Sequence, residues 1–158
     1  MIWLNSVVAG LVATFIVSIV MVIKGLTATR PAFDITDLLA TVLSDSLGLH
    51  YTPGLGWVAF FVLGTLVGGG LFAALADMLP GNRLVQGLFV GVIVWIGLML
   101  VIMPLAGRGF FGVDIGPVAA WATLLGSLLY GGMLGLVFAN LTPPRAQIAI
   151  RTGHTGGR

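Results

Sequence analysis

The chain has no cysteine, two histidines and little charge: seven Lys and Arg and five acidic residues, 8% of 158 positions. The lack of cysteine excludes disulfides, thiolate catalysis, iron–sulfur ligation and Cys-type zinc sites together. Soluble domains carry about 25% charged residues, so a chain this poor in charge does not read as one. No basic stripe is present to neutralise a phosphate backbone, which argues against nucleic acid as a partner. Both histidines, His50 and His154, stand outside the long apolar runs, where a membrane cytochrome needs facing axial ligands. No cofactor or metal is therefore expected. The sequence holds no His-Glu-x-x-His motif, no paired carboxylates and no serine–histidine–acid set. Catalysis needs such groups converging in one pocket, so the expectation is that the chain is not an enzyme.

Apolar sequence is what the chain has in plenty: 58% of its residues are hydrophobic. Four runs almost free of charge cover residues 2–23, 54–76, 84–106 and 117–141. A helix needs roughly 20 apolar residues to cross a hydrocarbon core of about 30 Å, and each run is long enough. The fold class predicted is all-α, a four-helix transmembrane bundle formed by a single integral membrane domain over residues 1–158. The first run is preceded by no basic segment and exceeds the roughly 7–15 residues of a secretory signal's core. It reads as the first spanning helix.

Short connections join the later runs. Pro80-Gly81-Asn82 is a turn signal between the second and third. Gly107, Gly109, Gly112 and Gly116 frame Phe110-Phe111 between the third and fourth, where the two aromatics suit the headgroup level. The long connection, residues 24–53, contains structure of its own. Ile35, Leu38, Leu39, Val42, Leu43 and Leu47 recur at helical i, i+3, i+4, i+7 spacing. This predicts a short interfacial amphipathic helix over residues 34–48, with Asp34 as N-cap, Asp37 in its first turn and Gly48 as stop. Its polar face offers Asp37, Asp45 and hydroxyls in place of lysines. That composition fits a docking element or a lid better than a helix built to bind anionic lipid. After residue 141 the polar tail, residues 142–158, opens with Pro143-Pro144 and has the composition of a disordered segment.

An even number of spans puts both termini on one side. Arg83, Arg145, Arg151 and Arg158 fall on that side, against Lys24, Arg30 and Arg108 on the other. The positive-inside rule then predicts cytoplasmic termini, with a prokaryotic inner membrane as the expected location.

Small residues at four-residue spacing are the strongest local signal. Gly64 and Gly68, Gly87 and Gly91, and Ser127, Gly131, Gly135 and Ala139 each line one helix face and permit close backbone approach. Packing inside the chain is the first expectation. A face that receives a helix from another protein is the second, with the stripe in the fourth run as the leading candidate. A faint repeat accompanies these stripes. Gly10-Leu11 matches Gly87-Leu88, and Gly64 to Gly70 matches Gly126 to Gly132, as if two parallel hairpins were related by an axis along the membrane normal. Three polar residues stand out against this background. Asp77, at the exit of the second run, is placed to pair with Arg83. Asn140 lies at a comparable depth and can bond across helices. His50, beside Tyr51, sits at the headgroup level.

Three segments carry a resemblance: Gly56-Trp57 leading into the glycine-rich second run, Val101 to Gly107 through Gly109-Phe110-Phe111-Gly112, and Ser127 to Ala139. They resemble a family of small prokaryotic four-span membrane proteins known as a domain of unknown function. The resemblance implies a fold and an accessory role, and it brings no catalytic residues. The combined expectation is a non-catalytic accessory subunit packed against a larger membrane complex of respiratory or photosynthetic electron transport. Its partners are membrane lipids and other membrane protein subunits. The alternative is a small transporter or channel, as a homo-oligomer.

Overall fold

The computed structural model describes residues 2–27, 34–75, 78–79, 81–114 and 116–142. The tail beyond residue 142, for which disorder is expected, lies outside the described residues. Five helices form the described fold: α1 (Ile2–Thr27), α2 (Ile35–Leu47), α3 (Pro53–Leu75), α4 (Arg83–Leu105) and α5 (Pro117–Leu141). All except α2 are long and apolar enough to cross a membrane.

Local chemistry sets the ends of these helices. Asp34 Oδ1 accepts from the Thr36 backbone N–H at 2.9 Å and from the Thr36 hydroxyl at 2.7 Å, which starts α2. Gly48 ends it in the left-handed region at φ +63°, with its N–H on the Ser44 carbonyl. Asn82 caps α4 by accepting from Val85 N at 3.0 Å. Pro53 and Pro117 open α3 and α5, where a missing N–H leaves no helical bond unmade. Helix α1 continues to Thr27, beyond the predicted end at residue 23, and places Lys24 in its last turn. A cation is favoured there by the helix dipole.

Helix α1 packs between α3 and α5, and the largest interface joins α4 to α5. Helices α3 and α4 touch only lightly. The main core lies among the spans: Ala9, Ala13 and Val17 of α1, Phe72 of α3, Val90 of α4, and Tyr130, Leu134 and Phe138 of α5. The rings of Phe72 and Phe138 meet with centroids 4.9 Å apart.

Helix α2 packs against α3 and reaches the last turns of α4. Ile35 and Leu39 pack on Ala59, flanked by Phe60, Leu98 and Ile102. Leu38 packs on Met99 and Met103. Gly56 is the point of closest approach, because a Cβ there would lie 2.7 Å from the Thr36 carbonyl carbon and 3.2 Å from Ala40 Cβ. The apolar face of α2 is thus covered by protein. Leu47, counted on that face from the sequence, is 63% exposed, since α2 ends with it. Phe110 and Phe111 form a tight 3-10 turn with Gly112 and are both exposed. The Phe111 ring stands edge-on to Trp95 at 6.0 Å.

On its outer face α2 is held by a polar contact: the Tyr51 hydroxyl donates to Asp37 Oδ1. This bond raises the Tyr51 pKa above its ordinary value near 10, with smaller contributions from burial and from the charges of Asp37 and Asp34. Neutral tyrosine is the donor, so the contact contributes fully below pH ~10 and is lost as pH rises through the folded-state pKa. Ultraviolet titration of tyrosine is the check: Asp37→Asn should bring the Tyr51 ionisation back towards the ordinary value, and an unmoved titration would remove this bond from the account. Beneath the helix, Leu38→Ala should cost about 2–5 kcal/mol through the void left beside Met99 and Met103, read as a lower unfolding midpoint in detergent.

Candidate functional site

Two close helix crossings shape the interior, and both are built on glycine. In the first, α1 meets α3. A Cβ on Gly10 would lie 3.0 Å from the Thr65 carbonyl oxygen and 3.2 Å from Gly69 Cα. A Cβ on Gly69 would lie 2.8 Å from the Ser6 carbonyl oxygen. In the second crossing, α4 meets α5. A Cβ on Gly87 would lie 2.8 Å from Gly135 N, one on Gly91 3.3 Å from Gly131 Cα, and one on Gly131 2.9 Å from Gly91 N. These contacts are backbone against backbone, with no flexible side chain to give way. Matched positions of the sequence repeat make matched contacts, Gly10 on Gly69 and Gly87 on Gly131.

A layer of hydroxyls lies beside the first crossing. Thr14 Oγ1 donates to the Gly10 carbonyl at 2.8 Å, and Ser18 Oγ donates to the Thr14 carbonyl at 2.8 Å. From α5, the Tyr130 hydroxyl reaches across and donates to the Gly64 carbonyl. Both Gly64 and Gly68 are small because these partners need the room. A Cβ on Gly64 would stand 3.2 Å from Thr14 Cβ, and one on Gly68 2.8 Å from Tyr130 Cζ. Gly64 is mid-way along α3 and Tyr130 mid-way along α5, so the bond lies near the middle of the spans.

The backbone is irregular in two of the spans. Leu63–Gly68 of α3 forms a π-helical turn, as does Leu98–Ile102 of α4. A π turn moves backbone bonds to i→i+5 and occurs often at functional sites. In a membrane, backbone irregularity is tolerated where protein groups re-satisfy it, and here a tyrosine hydroxyl bonds a carbonyl inside the turn. Ser6 Oγ and Thr65 Oγ1 are buried in the same region and have no protein hydrogen-bond partner.

The chain belongs to a family of unknown function. The family model, DUF6789, matches residues 2–149. No curated protein and no solved structure matches the chain.

The residues singled out from the sequence fall into three groups. Gly87, Gly91, Ser127, Gly131 and Gly135 come together at the α4–α5 crossing, with the Ser127 carbonyl against Gly91. The stripe of the fourth run therefore faces the preceding span of its own chain. This corrects its standing as the leading face for an outside protein: Gly87 and Gly91 supply the hollow that it fills. Ala139, the last of that stripe, is half-buried. Gly64 and Gly68 belong to the hydroxyl layer. The polar residues stay apart. Asp77 lies outside the described residues. Asn140 is exposed and donates to the Leu136 carbonyl of its own helix at 3.0 Å, a bond that stays within α5. His50 is exposed in the connection before α3.

Arg83 has described partners of its own. Its Nη1 donates to Gln86 Oε1 at 2.9 Å, and its guanidinium stands 5.2 Å from the centre of the Phe138 ring. Gln86 Nε2 in turn donates to the Leu79 carbonyl at 2.9 Å. Among the described residues no three His, Asp or Glu side chains gather as a metal site.

The hydroxyl layer was missed from the sequence, although its signal was present. Ser6, Gly10, Thr14 and Ser18 are a fourth set of small residues at four-residue spacing. Two variants test the geometry. Tyr130→Phe should cost about 0.6 kcal/mol and at most about 1.7, the range of interhelical hydrogen bonds in a membrane bundle, measured as a shift in unfolding midpoint. Gly131→Leu should prevent the α4–α5 hairpin from closing, whereas Gly126→Leu should be tolerated, because no atom lies within 4 Å of a Cβ there. Equal thermal stability of the two leucine variants would contradict the crossing.

Proposed function

We propose that the chain is a non-catalytic accessory subunit that packs beside a larger membrane complex, in the class of respiratory or photosynthetic electron transport. The observation that carries this reading is the filling of the bundle by its own backbone. The crossings of Gly10 on Gly69 and Gly87 on Gly131 leave helix surfaces in direct contact, a construction suited to a rigid structural element. The outer surface is apolar along every span, with Leu11, Phe15, Val58, Val101, Trp121 and Leu125 each at least half exposed. Lipid or neighbouring subunits cover such a surface. Gly97 and Gly126 have open space where a Cβ would stand, so a neighbouring helix can approach there without displacing anything. The prokaryotic inner membrane and cytoplasmic termini belong to the same reading.

Gentle extraction from native membranes followed by native mass spectrometry tests it. A defined larger assembly containing this chain is the expected result, and a lone monomer would overturn the reading.

A second reading, a small transporter or channel working as a homo-oligomer, is favoured by one observation. The π turns of α3 and α4 and the unpartnered hydroxyls of Ser6 and Thr65 place polar groups within the spans. Asn140 is exposed at the end of α5 and adds nothing to these interior groups. The test residue is Thr65. On this reading Thr65→Val should reduce liposome flux, and flux that is absent or unchanged by Thr65→Val leaves the accessory reading in place.

A further inference from the structure

The turn that joins α4 to α5 carries large apolar side chains on the outside of the bundle. Phe110 is 63% exposed and Val113 75%. The neighbouring Phe111 behaves differently. Its backbone lies in the left-handed region at φ +57°, which is rare for a bulky residue, and its ring is laid back onto Trp95. Trp95 is itself fixed, with its indole N–H donating to the Ala120 carbonyl at 3.1 Å. Gly112 seats the other side of the turn, since a Cβ there would lie 3.5 Å from Met103 Sδ. The two adjacent phenylalanines therefore part. Phe111 docks on the bundle, while Phe110 stays outside it with Val113.

The lengths of the two spans fix the level of this turn. Helix α4 has 23 residues and α5 has 25, which at about 1.5 Å per residue give roughly 34 and 37 Å. The hydrocarbon core takes about 30 Å, and the headgroup region on each side adds roughly 5–7 Å. With Arg83 at the opposite surface, the turn falls within the interface and not in open water. Apolar surface there is stabilised by leaving water for the acyl chains. Continuity with the spans favours lipid as the occupant. Leu105 lies one turn beyond Val101 on one face of α4, and Val118 one turn before Trp121 on one face of α5. All four are more than half exposed, so the apolar outer surface of both spans runs into the turn. The charges of the turn, Arg108 and Asp114, are both exposed. An arginine keeps its stem on apolar surface while its guanidinium reaches outward, where it suits a phosphate through paired N–H donors.

We propose that the α4–α5 turn is a lipid-insertion element in the leaflet opposite the termini. Phe110 and Val113 lie among acyl chains below the phosphate level, and Arg108 binds a phospholipid phosphate above them. The element is independent of the accessory role and stands or falls separately from it.

The chain has no cysteine, so a nitroxide on one introduced thiol reports depth at one position. The purified protein is reconstituted in vesicles of phosphatidylethanolamine and phosphatidylglycerol. Power-saturation electron paramagnetic resonance then compares access of oxygen, which concentrates in hydrocarbon, with access of a water-soluble nickel chelate. Val101→Cys gives the hydrocarbon reference, and Asp45→Cys, on the exposed edge of α2, gives the aqueous one. Labels at Phe110→Cys and Val113→Cys should favour oxygen over nickel several-fold more than the label at Asp45→Cys does. Nickel access at either position equal to that at Asp45→Cys would overturn the insertion. Exclusion of both reagents would overturn it too, since protein from a second copy would then cover the turn. Added to Val113→Cys, Arg108→Glu should raise nickel access by setting like charge against the phosphates, and Arg108→Lys should leave it low. Nickel access unchanged by Arg108→Glu would overturn the phosphate contact. Circular dichroism matching wild type in each variant separates these effects from unfolding.

Discussion

Close approach of helix backbones at glycine is the constraint on which the rest of this structure depends. In a bilayer, lipid tails are as apolar as leucine, so helices gain little by hiding apolar surface from one another. Association rests on van der Waals contact and on interhelical hydrogen bonds. The α1–α3 and α4–α5 crossings supply the first, because each glycine faces a backbone atom of its partner helix. The bond from Tyr130 to the Gly64 carbonyl supplies the second, and it ties α5 to α3 across the face of α1. Phe72 and Phe138 then fill the space left near the other end of the bundle.

This arrangement also explains the place of α2. Where α3 and α4 diverge, their facing apolar side chains need a cover, and α2 provides it with Ile35, Leu38 and Leu39. Gly56 repeats the glycine device at this smaller contact by admitting the Thr36 backbone. The short helix is therefore part of the bundle's packing, with its polar edge of Asp37 and Asp45 turned outward.

Much of the architecture was legible in the chain. Long uncharged runs specify spans because hydrocarbon tolerates little else, and the caps Asp34 and Gly48 announce their helix ends by simple chemistry. The small-residue stripes were visible as stripes, but their partners were not. Periodicity tells which residues share a face and says nothing of what lies opposite, so Ser127, Gly131 and Gly135 admitted an outer reading beside the inner one. The Tyr130 contact was hidden for the same reason. It joins residues 66 apart, and a lone tyrosine in an apolar run carries no mark of the carbonyl it reaches. The π turns were hidden as well, because Leu63–Gly68 and Leu98–Ile102 have the composition of ordinary spanning helix. Ser6, Gly10, Thr14 and Ser18 did carry a signal, which the more conspicuous glycines overshadowed.

Because the chain has no cysteine, the crossing of α1 and α3 can be tested directly by a pair of introduced thiols. A Cβ on Gly64 stands 3.2 Å from Thr14 Cβ, near the roughly 3.5–4.5 Å that a disulfide requires. The measurement is oxidation of the Thr14→Cys, Gly64→Cys double variant in native membranes, followed by intact-mass analysis. The account predicts a disulfide within one chain. Free thiols after oxidation, or a disulfide joining two chains, would contradict it.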